Sequence, residues 1–474
     1  MKKLVSIFFS LLFFCSTIFV SCKEQPFQKT SVFNEKEVVF AFSAMSDIHQ
    51  KRENDGNSIK LKNALNYSKN YLGGNLDAAI FAGDLTDETW LYKNNDYSLT
   101  YNVGVESFKK TICSSVDIQK TAIFYAFGNH DTDNYYNGYE YMKKIPSVFY
   151  NQLGKDFFKY DLSDSEIEAG FRHAKIKGYH FISVLPDFFW INEGYSEKQM
   201  RWLDNKLKQI TEEDPEKFVF IVGHAPLYGT TFGSESRYWF DTSVDKVIKK
   251  YPQSVYLSGH IHNFLQNEKN ISQNGYYTAL DCGGVVGVSS NEWNTEDREN
   301  STFTNVEYSN VSHGLIIEID RSGNLRITRH EYVSKKVIES PYYIPYPNAE
   351  KTHLQAYDNA TRKANNQAPY FENGSDITVS KNGDGILLSF TGAKDDDRVF
   401  YHKVSVYKKE GNTKEKVGDY YYSTHPEKYT QKEQIPTDFS YTINGDFLGE
   451  HVLEIQAFDF FYKQSGIKEI SFNF

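Results

Sequence analysis

Cysteine is scarce, with four in 474 residues, and neither number nor spacing makes a disulfide framework. A basic excess is missing too. Fifty-two lysines and arginines face 62 aspartates and glutamates, for a net charge of −10, which argues against nucleic acid as the main partner because a phosphate backbone calls for a basic face. No long stretch is poor enough in apolar residues to be disordered, and 40% hydrophobic with 24% charged residues is a globular composition. After the N-terminus no further hydrophobic run is long enough to span a bilayer. What is there is length: 474 residues exceed one ordinary core, and units of about 100 to 250 residues predict two domains.

The N-terminus is the one strongly apolar segment. Lys2 and Lys3 precede the run Leu4 to Val20, which ends in Ser21 and Cys22, the layout of a secretory signal peptide at 1–21. Phe19-Val20-Ser21-Cys22 looks like a bacterial lipobox, in which the cysteine carries the lipid, and 22–36 follows as a tether. An ordinary cleaved signal with a chance cysteine is the plainer reading. The lipobox predicts an extracytoplasmic chain anchored to a bacterial membrane, periplasmic or at the cell surface, through a lipid on Cys22. Removing Cys15 with the signal and committing Cys22 to lipid leaves Cys113 and Cys282, expected as buried free thiols, with a bridge between them as the other reading for an exported chain.

From Val38 onward, short apolar runs alternate with amphipathic stretches: Val38 to Met45, Ala78 to Ala82, Thr121 to Phe127, Phe181 to Leu185, Phe218 to Val222 and Ser254 to Leu257. That alternation predicts an α/β unit over 37–338. Ser196 and Gln199 form a capping box for a helix with Met200, Leu203, Leu207 and Ile210 on one face. Gly314 to Ile319 and Leu325 to His330 flank Ser322-Gly323 as a hairpin. The stretch 339–367, with the prolines and tyrosines of Ser340 to Pro347, reads as a linker holding one helix. Seven short β-like runs between Ile377 and Phe472 then predict an all-β sandwich over 368–474.

Five of the predicted strands stop at a polar cluster: Asp47-Ile48-His49, Gly83-Asp84, Gly128-Asn129-His130-Asp131, Gly223-His224 and Gly259-His260-Ile261-His262. Singly, each has a bland reading, as a structural histidine or a helix cap. Together they place metal-binding side chains at the carboxyl ends of strands, where open α/β folds bind ligands. Imidazole, carboxylate and amide oxygen suit first-row transition ions rather than calcium.

In this order, D-X-H, G-D, G-N-H-D, G-H and G-H-X-H, the clusters resemble those of the calcineurin-like metallophosphoesterase superfamily over Phe40 to His330. The resemblance implies a four-layer α/β/β/α sandwich and a two-metal site. Asp47, His49 and His262 would hold one ion, Asn129, His224 and His260 the other, and Asp84 would bridge them. It implies two divalent or trivalent ions of iron, manganese or zinc, and hydrolysis of a phosphomonoester or phosphodiester by metal-activated hydroxide. His130 would act at the leaving group and Asp131 would orient it. The alternative is a surface-anchored binding protein, catalytically weak or inactive, that works through its C-terminal domain. That domain resembles the fibronectin type III and immunoglobulin-like appendages of secreted bacterial enzymes, its protein or glycan partner left open.

The loops Thr89 to Asn102, Thr132 to Ala174 and Pro226 to Phe240 would rim the site; Arg237 there reads first as a solvated surface arginine and second as a phosphate ligand, and Tyr228, Tyr238 and Trp239 as a general aromatic rim or as stacking surfaces. Asp395-Asp396-Asp397 reads as a solvated turn, with calcium binding as the other reading.

Overall fold

A computed structural model of the chain describes residues 29–87, 90–93, 98–132, 144–160, 163, 166, 170–186, 194–235, 242–289, 307–308 and 310–474. The signal peptide, Cys22, Arg237, Tyr238 and Trp239 lie outside these residues. Among the described residues no helix is long and apolar enough to cross a membrane.

Twelve strands build the first unit's two large sheets: β1 (Val38–Met45), β2 (Ala78–Ala82), β3 (Ala122–Ala126), β4 (Arg172–Ile176), β5 (Tyr179–Ser183), β6 (Val219–Val222), β7 (Ser254–Ser258), β8 (Ile271–Gln273), β9 (Thr278–Asp281), β10 (His313–Asp320), β11 (Leu325–Glu331) and β12 (Lys336–Ile344). They form two six-stranded sheets, ordered β12-β11-β10-β1-β2-β3 and β8-β9-β7-β6-β5-β4. In the first, β1, β2 and β3 run parallel up to one edge, with β10, β11 and β12 antiparallel on the other side; in the second, the parallel strands β5, β6, β7 and β9 are flanked by antiparallel β4 and β8.

The sheets pack face to face through aromatic side chains, with Phe42 centred 5.0 Å from Phe220 and 5.5 Å from Phe181. On the outer face of the first sheet, Phe81 and Tyr125 join a core with α1 (Gly56–Tyr71), α2 (Val103–Ser115) and α3 (Ile145–Leu153). Behind the second, Ile182, Ile221 and Tyr256 meet α4 (Glu197–Glu213) and α5 (Ser243–Ile248). The result is the four-layer α/β/β/α arrangement. Ser196 caps α4 with Gln199, and Leu203, Leu207 and Ile210 are its buried face, as the sequence pattern predicts.

Two expectations need correction. Residues 340–344 are not linker: β12 continues to Ile344, with Tyr342 opposite Ile327 and Ile344 opposite Leu325. Pro341 is tolerated because β12 is an edge strand, where a missing N–H breaks no ladder. Cys113, expected to be buried, is exposed on α2, whereas Cys282 is buried; both are free thiols. One helix does follow in the linker, α6 (Asn359–Asn365).

The C-terminal unit has all seven expected strands, β13 (Ile377–Asn382), β14 (Gly385–Thr391), β15 (Val399–Glu410), β16 (Thr413–Ser423), β17 (Asp438–Asn444), β18 (Glu450–Asp459) and β19 (Lys468–Asn473). They pair antiparallel into the sheets β13-β14-β17 and β16-β15-β18-β19. Ile386, Leu388, Phe390, Val404, Val406, Leu453 and Ile455 fill the space between, making a β-sandwich. It meets the first unit along an aromatic seam, where Phe232 lies 5.9 Å from Phe400 and Phe264 lies 5.7 Å from Phe460. Arg398 crosses the same seam to Glu339.

Candidate metal centre

The five polar clusters come together at one edge shared by the two sheets. Those after β1, β2 and β3 arrive from the first sheet, and those after β6 and β7 from the second. Five of the seven expected ligands have left-handed backbones: Asp47 at φ 55°, His49 at 46°, Asp84 at 50°, His260 at 73° and His262 at 49°. For residues other than glycine this costs roughly 1–3 kcal/mol each and persists only where the surroundings over-determine it. Here they do: the N–H groups of Ile48 and His49 both donate to Asp84 O, at 2.8 and 2.9 Å, and that of Asp47 to Gly83 O at 3.2 Å. Glycine is required where these turns press together. A Cβ on Gly128 would stand 2.0 Å from Asp84 Oδ1, and one on Gly83 2.5 Å from His224 Nδ1.

Three overlapping donor groups result. Asp47, His49 and His262 form one, Asp84, His224 and His260 a second, and His49, Asp84 and His130 a third, the ligand atoms of each lying within 4.8 Å of one another. His262 Nε2 is 3.2 Å from both Asp47 Oδ1 and His49 Nε2. His224 Nε2 is 3.1 Å from Asp84 Oδ2 and 3.2 Å from His260 Nδ1. His224 Nδ1 lies 2.7 Å from Ala82 O and donates there, which leaves Nε2 facing the centre. Asn129 Oδ1 is buried without a hydrogen-bond partner, as an amide oxygen held for a cation would be.

Asp47 and Asp84 are fully buried, and histidines are the only titratable cations paired with them among the described residues. Burial alone would raise the Asp47 carboxyl, yet His262 and then His224 bring it down to about 2. Asp84 is lowered further still, its burial outweighed by His224. Conversely, His224 loses to burial but is raised to about 9 by Asp84, while burial and the charge of His224 push His260 down to about 3. Two buried carboxylates thus need positive charge between them. Protons on histidine provide it in part, and the mixed imidazole, carboxylate and amide donors fit first-row transition ions.

The carboxylate against His130 is not Asp131. Asp131 accepts from the N–H groups of Thr86 (2.7 Å), Gly128 (2.8 Å) and Leu85 (3.1 Å), so it braces the loops after β2 and β3. His130 Nδ1 instead meets Asp87 Oδ1 at 3.0 Å, and the same oxygen is 3.6 Å from His49 Nδ1. Hydrogen bonds from His130, then His49, hold the Asp87 carboxyl far below its ordinary range. Sequence reasoning overlooked Asp87; its place three residues after Asp84 in the same loop was the available signal. Asn57 also went unnoticed, and it supports the His49 carbonyl at 2.7 Å. Of the rim residues, Tyr228 is partly exposed.

Residues 41–264 match the family model of calcineurin-like phosphoesterases. The chain therefore carries a calcineurin-like metallophosphoesterase domain, followed by the β-sandwich. Over 102 residues, 21% of this chain, it is 28% identical to the manganese-dependent ADP-ribose/CDP-alcohol diphosphatase of Arabidopsis thaliana, and the match spans about a third (32%) of that relative's length. Among solved structures, a purple acid phosphatase from yellow lupin (Lupinus luteus) seeds is similar at 16% identity, covering 69% of this chain and 57% of that one with a TM-score of 0.45. A 5'-nucleotidase precursor from Thermus thermophilus is similar at 13% identity, covering 70% and 61% with a TM-score of 0.33.

Proposed function

We propose that the chain is a metal-dependent hydrolase of phosphate esters, acting on monoesters or diesters. The observation that carries this reading is the overlap of the three donor groups on His49 and Asp84, a layout suited to a pair of ions rather than one. Asp47, His49 and His262 would hold one ion, Asn129, His224 and His260 the second, and Asp84 would serve both. Such ions, iron, manganese or zinc, supply Lewis acidity and a water that ionises near neutral pH. The protein supplies the rest. His130, whose side chain is 35% exposed at the rim, reaches toward the substrate side with Nδ1 held by Asp87. In its doubly protonated form it can donate the Nε2 proton to a leaving-group oxygen. Asp131 keeps the two loops in register.

The extracytoplasmic, lipid-anchored location is likewise our reading, as is the division into a catalytic unit from 37 and a sandwich from 368. Fractionating cells that make Cys22→Ser tests the anchor: the variant should leave the membrane fraction, and retention there would refute the lipid on Cys22.

For the activity, metal-reconstituted protein lacking 1–21 is assayed on para-nitrophenyl phosphate and bis-para-nitrophenyl phosphate beside Asp84→Ala and His130→Ala. Hydrolysis of either ester should vanish in Asp84→Ala and fall by about 10²–10⁴ in His130→Ala. Protein that holds two metals and turns over neither ester would favour the binding-protein alternative.

A further inference from the structure

The segment before β1 decides which end of the catalytic unit lies nearest the N-terminus. The Thr30 N–H donates to Ser322 Oγ at 3.1 Å, Asn324 Nδ2 to Thr30 O at 2.9 Å, and the Asn34 N–H to Asp320 Oδ2 at 2.9 Å, so residues 30–34 lie along the β10–β11 turn. Lys29 joins the same end, with Nζ 2.6 Å from Glu216 Oε2 in the turn that enters β6. Val38 is paired with Asp320. β1 therefore begins at this end and runs toward Asp47 and the other expected ligands at the opposite one.

Distance then limits what the metal centre can touch. β1 has eight residues, and at about 3.3 Å each they set the two ends about 25 Å apart. Eight residues also separate Cys22 from Thr30, and at full stretch these span about 28 Å. Lowering the metal centre onto the surface that holds Cys22 would raise Thr30 about 25 Å above it. The tether would have to be pulled almost straight, which costs conformational entropy at every residue. The sandwich is docked at the catalytic end too. Phe232, in the loop after His224, and Phe264, which follows His262, pack against Phe400 and Phe460. Gln431 of the sandwich donates to Val337 O at 3.1 Å, where β12 begins beside the end of β11.

We propose that the metal centre works facing away from the anchoring membrane, on phosphate esters that are dissolved or carried on another surface, and not on the lipids of the leaflet that holds Cys22. A headgroup seated in that leaflet meets the centre only when the strand ends face the membrane, and the short tether opposes that orientation. The inference rests on two readings given above, Cys22 as the lipid-bearing residue and the centre as a phosphate-ester hydrolase. It narrows the substrate class of that centre by source: the ester is one that diffuses to the protein.

Two measurements on vesicles test this without relying on a cell to attach the lipid. The chain lacking 1–21, with Cys22→Ser and Cys113→Ser, is joined to a lipid through the amino group of residue 22. A dye is placed by Tyr228→Cys near the metal centre or by Arg321→Cys at the far end. Energy transfer to an acceptor dye on the headgroups should be about twofold or more greater from residue 321 than from residue 228, given ends about 25 Å apart. A flexible insert of about 30 residues after Gln28 should erase the difference. Equal transfer with the short tether, or more from residue 228, overturns the proposal whatever the activity. In the second measurement the tethered, metal-loaded chain without dye receives the two nitrophenyl esters in solution, on vesicles containing phosphatidic acid and phosphatidylglycerol. Nitrophenyl ester hydrolysis should equal that of untethered protein, and the vesicle lipids should yield no product. Product from the lipids of the same vesicle overturns the proposal. Failure on the nitrophenyl esters in free and tethered protein alike would sink the hydrolase reading instead, and the transfer measurement tells the two failures apart.

Discussion

The two units place polar residues differently along their strands. In the first unit, β2, β3, β6 and β7 are buried from end to end, and the expected ligand residues appear only once each strand has stopped. In the sandwich, β14 and β17 alternate between more and less buried positions, so polar side chains spread along the outer faces. A parallel strand covered on both faces has no room for a charged side chain along its length. Its chemistry is displaced to the carboxyl end, where neighbouring strands displace theirs as well. Strain follows the same division. Five expected ligands are left-handed, whereas after residue 368 His425 and Tyr462 are the non-glycine residues described in that conformation.

The sharpest way to break this contrast is to disturb one strand end in each unit. Gly128→Ala drives a methyl against Asp84, where Cβ would stand 2.0 Å from Oδ1 and 2.3 Å from the backbone nitrogen. Misplacing a reacting group by an ångström can cost about a hundredfold, so hydrolysis should fall by at least that much, with bound metal falling too. In the β15–β16 hairpin, Gly411 has φ +64° and open space around it. Gly411→Ala should cost about 1–2 kcal/mol of stability through backbone strain alone and leave hydrolysis unchanged. Equal losses of activity in both variants would end the distinction.

Phe400→Ala probes the seam between the units. Phe400 is fully buried against Phe264 and Phe460, and deleting such a ring costs about 3–5 kcal/mol. Chemical denaturation should show that loss in the transition that melts the sandwich, with hydrolysis per folded molecule preserved. A fall in activity without a fall in stability would mean that the seam feeds the metal centre.

What the sequence made legible follows the same physics. Val38–Met45 and Ala78–Ala82 coincide with their predicted runs, because apolar runs between polar clusters have few other ways to fold. The seven expected ligands could be named because each is set off by a strand end. Asp87 could not, since a carboxylate in a loop declares its partner only after the loop has closed on His130 and His49. The family resemblance made Asp131 the orienting acid, but adjacency along the chain sets no side-chain direction, and its oxygens accept from the N–H groups of Leu85, Thr86 and Gly128 instead. Pro341 misled for a related reason, because an edge strand tolerates proline.

Asp87→Asn is the finer test of the catalytic end. Removing the charge while keeping the shape should lower turnover about 10–100-fold, the usual penalty for losing a supporting hydrogen bond at a metal-site group. Bound metal should be little changed, and the basic partner seen in the pH profile of turnover should move down as His130 loses its carboxylate. Asp131→Asn should act differently, lowering thermal stability at least as much as turnover, because its contacts hold backbone. If Asp131→Asn alone shifted the pH profile, the assignment of the two acids would be reversed.

The smallest effect expected is one of sign. In metal-free protein, His224 is raised from 6.5 to about 9 by Asp84 and Asp47. A raised histidine contributes stability in full below its unfolded value and loses it as pH rises through the folded one. The melting temperature of chelator-treated protein should therefore sag from about pH 6.5 toward pH 9. Metal-loaded protein should not follow, because metal binding requires the deprotonated imidazole and strengthens as protons leave. The two melting curves should draw apart as pH rises, whereas the sandwich, which contributes no ligand to that centre, should melt alike in both. Parallel curves across that range would mean that His224 does not exchange its proton for a metal.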